Sequence, residues 1–188
     1  WRTVIDNRMW GDKEYFWLGQ SLAGNENYHI NGYQAGAAGE VRTVPGKFTH
    51  EICSTHPAHI LDEDNKTLLW INSGFQNCKK NSWDDDVNNE RIKKTNMADK
   101  QVLQSFYEDF TKITGVVIPP VTEHSYVNNM NEPFSGWYKL NICSGYYWCG
   151  YEVIGASQND EDKGLLIEFD KDTIEFYDFV GRIWIANV

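Results

Sequence analysis

The sequence predicts a mixed α/β domain with a β-rich C-terminal part. Two stretches carry apolar residues at helical spacing, while most of the remaining apolar residues fall in short extended runs punctuated by polar or glycine-containing turns. With 41% hydrophobic and 14% aromatic residues in 188, there is ample material for a core.

The first helix is predicted from Lys13 to Ala23. Tyr15, Leu18 and Leu22 repeat on one face, Gly11 caps the start and Gly24 stops it. Short extended pieces follow at Val41 to Val44 and Glu51 to Ile60. Thr67 to Asn72 then reads as a strand paired back through the polar turn Asp62-Glu63-Asp64-Asn65. The charged stretch from Asn77 to Asn96, with Lys79-Lys80 and Asp84-Asp85-Asp86, reads as an exposed connection. Val102, Leu103, Phe106, Tyr107, Phe110 and Ile113 form the stripe of a second amphipathic helix ended by Gly115. Val116 to Ile118 stops at Pro119-Pro120, and the stretch through Pro133 is loop-like. Gly136 to Ser157 holds one or two strands. Leu165 to Phe169, Thr173 to Phe179 and Arg182 to Ala186 read as a closing antiparallel meander, with turns at Asp170-Lys171-Asp172 and Val180-Gly181.

Charge removes some function classes. With 17 Lys plus Arg against 27 Asp plus Glu, the net charge of -10 repels the phosphates of nucleic acid and anionic membranes, so no polynucleotide partner is expected. No run approaches the roughly 20 apolar residues that span a bilayer, and the mean hydropathy is -0.56. The chain opens on Trp1 without an initiator Met, so the expectation is a piece of a longer protein whose targeting segment lies upstream.

Cys53, Cys78, Cys143 and Cys149 are even in number and lack zinc-site spacing, which predicts two disulfides and a secretory compartment. Three pairings are possible. Proximity along the chain favours Cys53 with Cys78 and Cys143 with Cys149. The sequon Asn65-Lys66-Thr67, in a polar turn, marks Asn65 as a candidate glycosylation site.

For chemistry, Asp12 and Glu14 open the first helix, where free N–H groups and the helix dipole keep carboxylates ionised. Glu14, at the third helical position, folds back onto the backbone as a cap, which leaves Asp12 the freer carboxylate. Asp62-Glu63-Asp64 and Asp84-Asp85-Asp86 imitate a metal-binding Asp-x-Asp pair, but neither ends a buried strand; both read as solvated charges. The acidic run from Asn159 to Gly164 fails a calcium-loop template because Lys163 stands where an oxygen ligand is needed. His50, His56 and His59 cluster around Cys53 without the spacing of a closed zinc site. There is no nucleophile elbow, no GxGxxG and no Walker loop, so hydrolase, dehydrogenase and kinase readings lack support.

Trp10-Gly11-Asp12-Lys13-Glu14-Tyr15-Phe16-Trp17-Leu18-Gly19, then Leu22-Ala23-Gly24 and Ala35-Gly36-Ala37-Ala38-Gly39, resemble the late part of fungal Golgi α-1,3-mannosyltransferases, glycosyltransferase family 71. Cys53 with His59, then Leu69-Trp70-Ile71-Asn72-Ser73-Gly74-Phe75 and Cys78-Lys79, extend the likeness to about Lys80. Beyond that it is looser, although Gly136-Trp137-Tyr138 is compatible with it.

The resemblance implies a partial GT-A type nucleotide-sugar transferase fold, residues 1–80 being the C-terminal portion of the catalytic core and 81–188 an extension of the same domain. It implies mannose transfer from GDP-mannose to a mannose hydroxyl of a glycan acceptor, forming α-1,3 linkages with retention, in the Golgi lumen. The enzyme would be a type II membrane protein held by an upstream anchor. Manganese is the implied cofactor, with its main carboxylate ligands upstream of this chain. Asp12 takes the place of the carboxylate nearest the reacting sugars, supported by Glu14, with Trp10, Gly11 and Lys13 beside the substrate. By analogy His59 is a late metal ligand and Lys66 a diphosphate contact. The rival expectation is a secreted or lumenal carbohydrate-binding domain, or a pseudoenzyme, without catalysis.

Overall fold

The computed structural model describes residues 14–80, 82–90, 92–94, 96–120, 136–154 and 163–187. The chain divides into two compact units, Trp1–Gly32 and Tyr33–Val188. In the first, helix α1 (Glu14–Leu22) lies within the predicted bounds. It ends as the sequence dictates: Gly24 takes φ 75°, Asn25 N donates to Gln20 O at 2.9 Å and Gly24 N to Ser21 O at 3.0 Å. These two bonds satisfy carbonyls that a helix end otherwise leaves unpaired.

In the second unit the described residues form two antiparallel sheets. The first runs β5 (Leu68–Ile71), β4 (Pro57–Ile60), β1 (Gly36–Gly39), β6 (Gly115–Ile118), β9 (Leu165–Glu168) across the sheet. The second runs β2 (Arg42–Thr43), β3 (His50–Ser54), β8 (Tyr147–Tyr151), β7 (Trp137–Leu140). The predicted strand from Glu51 to Ile60 is therefore two strands in two sheets, with Thr55 and His56 at the crossing between them.

The first sheet is covered on both faces, which explains why β1 and β6 are apolar or glycine throughout rather than alternating. Register sorts the faces. Ala37 opposes Val117, which opposes Leu166, and this row packs with Ile52 and Trp137 of the second sheet. Ala38, Val116 and Ile167 make the next row, packing on the other side with Ile60, Ile113, Phe169 and Tyr177. The sheets approach closely at β1: a Cβ added at Gly39 would lie 2.8 Å from Ile52 Cγ2 of the second sheet. Each large apolar side chain buried here contributes roughly 1.5–3 kcal/mol.

The predicted meander does not close the chain. Thr173 to Ala186 lies in one helix, α4 (Lys171–Ala186), in place of two strands. Asp170 caps it, accepting from Thr173 N at 2.8 Å. The β-branched and aromatic residues suggested strands, but the inward positions Ile174, Tyr177, Gly181 and Ile185 recur at three- and four-residue intervals, the helical period. Gly181 is a contact point, not a turn. The Phe110 ring lies where its Cβ would be, Cδ2 at 2.4 Å.

The connection from Asn77 to Asn96 is also more structured than its charges suggested. Short helix α2 (Trp83–Asp86) buries Asp86, whose Oδ2 accepts from Cys143 N at 2.7 Å and from the Tyr107 hydroxyl. Tyr107 lies on helix α3 (Lys100–Glu108), shorter than predicted and capped by Asp99, which accepts from Gln101 N at 2.8 Å and Val102 N at 3.1 Å. Burial raises the Asp86 carboxyl above the usual range.

All four cysteines are bridged, as expected, but the pairing is Cys53–Cys149 and Cys78–Cys143. Proximity along the chain gave the wrong partners because sheet register decides. Cys53 and Cys149 oppose one another in the β3–β8 ladder, and Cys143 sits in the β7–β8 connection against Cys78 under α3. The loops closed are 96 and 65 residues long. Each bridge alone would contribute roughly 4–5 kcal/mol by restricting the unfolded chain.

Candidate functional site

A cleft of about 400 Å³ opens where the chain crosses from the second sheet to the first. Its walls are aromatic. Trp137 and Trp148 come from adjacent strands β7 and β8, and Tyr146 from the turn before β8. Alternation puts Trp137, Trp148 and Gly150 on the face turned toward β1, and a Cβ at Gly150 would lie 3.3 Å from the Ala37 Cβ, so its hydrogen keeps the sheets close. The opposite side comes from Ala37, Ser54, Thr55, His56, Pro57, Asn72 and Lys79.

His56 is the titratable one of the three buried polar residues in the lining, beside Ser54 and Thr55. Its Nδ1 lies 3.0 Å from Asn72 O and therefore carries the hydrogen; Nε2 lies 2.6 Å from Thr111 Oγ1, which is itself 2.8 Å from Asn77 Oδ1. Burial holds the imidazole below its ordinary pKa of 6.5, and the Lys79 charge pushes the same way. The ring is thus a neutral strut joining β4, the end of β5 and the segment before β6. The Asn72 side-chain amide makes no hydrogen bond among the described residues and is available to a ligand.

The disulfides frame this cleft. Cys53 precedes Ser54 and Thr55, Cys149 follows Trp148, Cys78 precedes Lys79, and Cys143 anchors the turn that carries Tyr146. That framing places the Lys79 ammonium 5.5 Å from the Tyr146 ring centre. Trp148 has a cation of its own, the Lys139 Nζ at 5.5 Å. Apolar ring faces with a few polar groups suit a pyranose, whose C–H face stacks while its hydroxyls hydrogen-bond.

Of the predicted site residues, Trp10, Gly11, Asp12 and Lys13 lie outside the described residues, as does the Glu14 side chain. His59 and Lys66 do not line the cleft. His59 opposes Trp70 in the β4–β5 ladder, ring centres 5.9 Å apart, while Lys66 lies in the hairpin turn and borders a smaller hollow of about 310 Å³ with Glu168 and Asp170. The three clustered histidines go to three places: besides His56 and His59, His50 Nδ1 pairs with buried Glu152 at 2.6 Å. Among the described residues, the one group of three possible metal ligands is Glu51 with Cys53 and Cys149, whose sulfurs are spent in a bridge. The described residues alone do not fit a manganese ion.

The acidic turn behaves as expected of solvated charge. Asp64 accepts from Thr67 N at 2.8 Å, from Lys66 N at 3.0 Å and from the Thr67 hydroxyl, which together hold its carboxyl below the usual range. Asn65 stands exposed in that turn at φ 59°, its Oδ1 accepting from the Tyr33 hydroxyl at 2.6 Å. The aromatic cleft was missed by sequence reasoning. Asn72 and Lys79 belong to the motifs that carried the resemblance, and Trp137 to its looser part, but only register reveals that they converge.

Comparison with known proteins gives one family. The profile of the family described as "Mannosyltransferase putative" matches residues 2–61. The chain is 39% identical over 199 residues to "Putative alpha-1,3-mannosyltransferase MNN14" of Candida albicans, covering 97% of this chain and 29% of that protein. It is 32% identical over 188 residues to "Alpha-1,3-mannosyltransferase MNT3" of Saccharomyces cerevisiae, covering 95% of this chain and 28% of that protein. The similarity thus continues well past Lys80. The chain spans under a third of the length of these curated relatives.

Proposed function

This chain belongs to the fungal α-1,3-mannosyltransferase family, and from that premise we propose that the protein transfers mannose from GDP-mannose to a mannose hydroxyl of a glycan, with retention at the anomeric carbon. The observation that carries the reading is identity to proteins named as α-1,3-mannosyltransferases across nearly the whole chain. The cleft between the sheets supports it by offering stacking faces and a free amide to a sugar ring.

In such a transfer the acceptor oxygen forms a bond to C1 as the bond from C1 to the diphosphate breaks; the diphosphate leaves with the electron pair and the hydroxyl proton is lost to a base. Asp12 is assigned the carboxylate nearest these atoms, orienting the acceptor hydroxyl or stabilising positive charge at C1. Glu14 supports it, and Trp10, Gly11 and Lys13 flank the sugar. Lys66 is kept as a diphosphate contact. Manganese would draw its carboxylates from outside the described residues, with His59 as the candidate late ligand. A GT-A type fold, with residues 1–80 in the catalytic core and 81–188 an extension of it, completes the assignment. So does a Golgi lumenal location behind an upstream anchor. Asn65, exposed in its turn, is the proposed glycan acceptor.

The test is an assay of mannose transfer from GDP-mannose by the intact protein with added manganese. Asp12→Ala is expected to lower kcat at least a hundredfold, and Trp148→Ala to raise the acceptor KM about tenfold. Binding of mannosides without any transfer by the wild type would favour the carbohydrate-binding alternative; wild-type turnover by Asp12→Ala would remove the role given to that carboxylate.

A further inference from the structure

The cleft has a charge pattern that an uncharged sugar does not need. In a chain of net charge -10, none of the described residues that line it is an Asp or Glu, and a lysine stands among them. The Lys79 ammonium has no carboxylate partner among the described residues; its neighbour is the Tyr146 ring. Several other exposed lysines in the same unit do find one, such as Lys93 with Glu90 at 3.0 Å, Lys100 with Asp84 at 3.3 Å and Lys171 with Glu175 at 3.5 Å; neighbouring Lys80, like Lys79, has no ion pair among the described residues. A second cation, Lys139, lies on the same face as Trp148, its register partner. The Cys78–Cys143 bridge holds the backbone beside Lys79 against the turn that carries Tyr146, so the cation is presented, not merely tethered.

Resting on the reading of the cleft as a sugar site, we infer that its ligand is a phosphorylated sugar. The pyranose stacks between Trp137 and Trp148, Asn72 bonds a hydroxyl, and Lys79 takes the phosphate at the mouth. At about 400 Å³ the cleft is near the small end of ligand sites, room for a sugar and its phosphate but not for a whole nucleotide sugar. A charge-assisted contact of this kind contributes roughly ten- to a hundredfold in affinity.

Isothermal titration calorimetry on the intact protein at low salt tests this, with mannose, mannose 1-phosphate, mannose 6-phosphate, GDP-mannose and inorganic phosphate as probes. A sugar phosphate is expected to bind at least tenfold more tightly than mannose, and Lys79→Gln to abolish that ratio while leaving mannose affinity within twofold. Trp148→Ala, with Trp148→Phe as the milder replacement should alanine unfold the sheet, is expected to weaken both sugars alike. A preference for mannose 6-phosphate supports the role of Lys79 and marks a phosphorylated acceptor; a preference for GDP-mannose, which the cleft does not hold whole, overturns the inference, because the donor's own diphosphate would then account for the cation. Equal binding of mannose and its phosphates overturns the inference and leaves the sugar cleft standing. Inorganic phosphate binding as tightly as the sugar phosphates also overturns it, as the aromatic walls would then be idle. Failure of every sugar probe overturns both this inference and the cleft reading.

Discussion

The two sheets are stabilised by different means. The first is buried on both faces by small and branched aliphatics, Ala38, Ala58, Ile60, Val116 and Ile167, and contains no cysteine in its strands. The second pairs Cys53 with Cys149 across its centre, leans on Cys78–Cys143 at one side, and carries Trp137, Trp148, Tyr147 and Tyr151. Trp137 and Trp148 line the cleft and stay half-buried, so the sheet that forms the cleft adds covalent restraint to the burial of Ile52 and Tyr151, where its partner depends on burial alone. Binding residues held this way keep their geometry without filling the space a sugar would occupy.

Reduction should separate them, and this is the largest effect expected. Opening Cys53–Cys149 by the double substitution Cys53→Ser, Cys149→Ser is predicted to destabilise the protein by roughly 4–5 kcal/mol in urea unfolding. Hydrogen exchange in the same variant should show β3 and β8 losing protection before β1 and β6. Equal loss in both sheets would mean that they unfold as one cooperative unit.

The first sheet should answer to volume instead. Ile60→Ala removes a fully buried side chain and is expected to cost about 3 kcal/mol, with the same cost measured with and without reductant. A smaller effect is expected at Gly181. Alanine there gains about 1 kcal/mol of helix propensity, but its Cβ meets the Phe110 ring at 2.4 Å. Overpacking of roughly 1–3 kcal/mol opposes the gain, so Gly181→Ala should lower the melting temperature by a few degrees; a rise would show that Phe110 moves aside freely.

The same contrast explains what the sequence made legible. In the first sheet, Val116 to Ile118 and the hairpin of β4 and β5 were readable, from an apolar run ended by Pro119 and from an acidic turn followed by Leu68 to Ile71, while the central strand β1, glycine and alanine throughout, was not. Helix α1 was readable from Gly24. The strands of the second sheet were readable in outline, at Val41 to Val44, from Glu51 and within Gly136 to Ser157, but their pairing was not, because what holds it is non-local. Cys53 finds Cys149 only through a ladder that spans 96 residues of separation, and His56 reads as one of three similar histidines until its bonds to Asn72 and Thr111 are seen. Helix α4 was missed for a different reason, since its aromatic and branched residues fit a strand locally and only contact with Phe110 and the first sheet selects the helix.

The smallest effect lies at the crossing between the sheets and concerns pH. The His56 pKa is lowered in the folded protein, chiefly by burial, from 6.5 in the unfolded chain. Above 6.5 neither state is protonated there and His56 adds no pH dependence. As pH falls below 6.5 the unfolded chain takes up a proton that the folded protein refuses, so stability is lost progressively down to the lowered folded value. Asp86 acts in the opposite sense. Its raised carboxyl pKa means that the folded protein keeps a proton the unfolded chain has lost, and stability declines as pH rises through the window above 3.8. The two groups therefore separate by sign: His56→Gln should flatten the loss seen as pH falls between 7.5 and 5.5, a change on the order of 1 kcal/mol, while Asp86→Asn should flatten a decline that runs the other way, as pH rises above 3.8. Urea midpoints across both ranges would decide. An unaltered slope in His56→Gln would mean that the imidazole at the cleft takes up its proton as readily in the folded protein as in the unfolded chain.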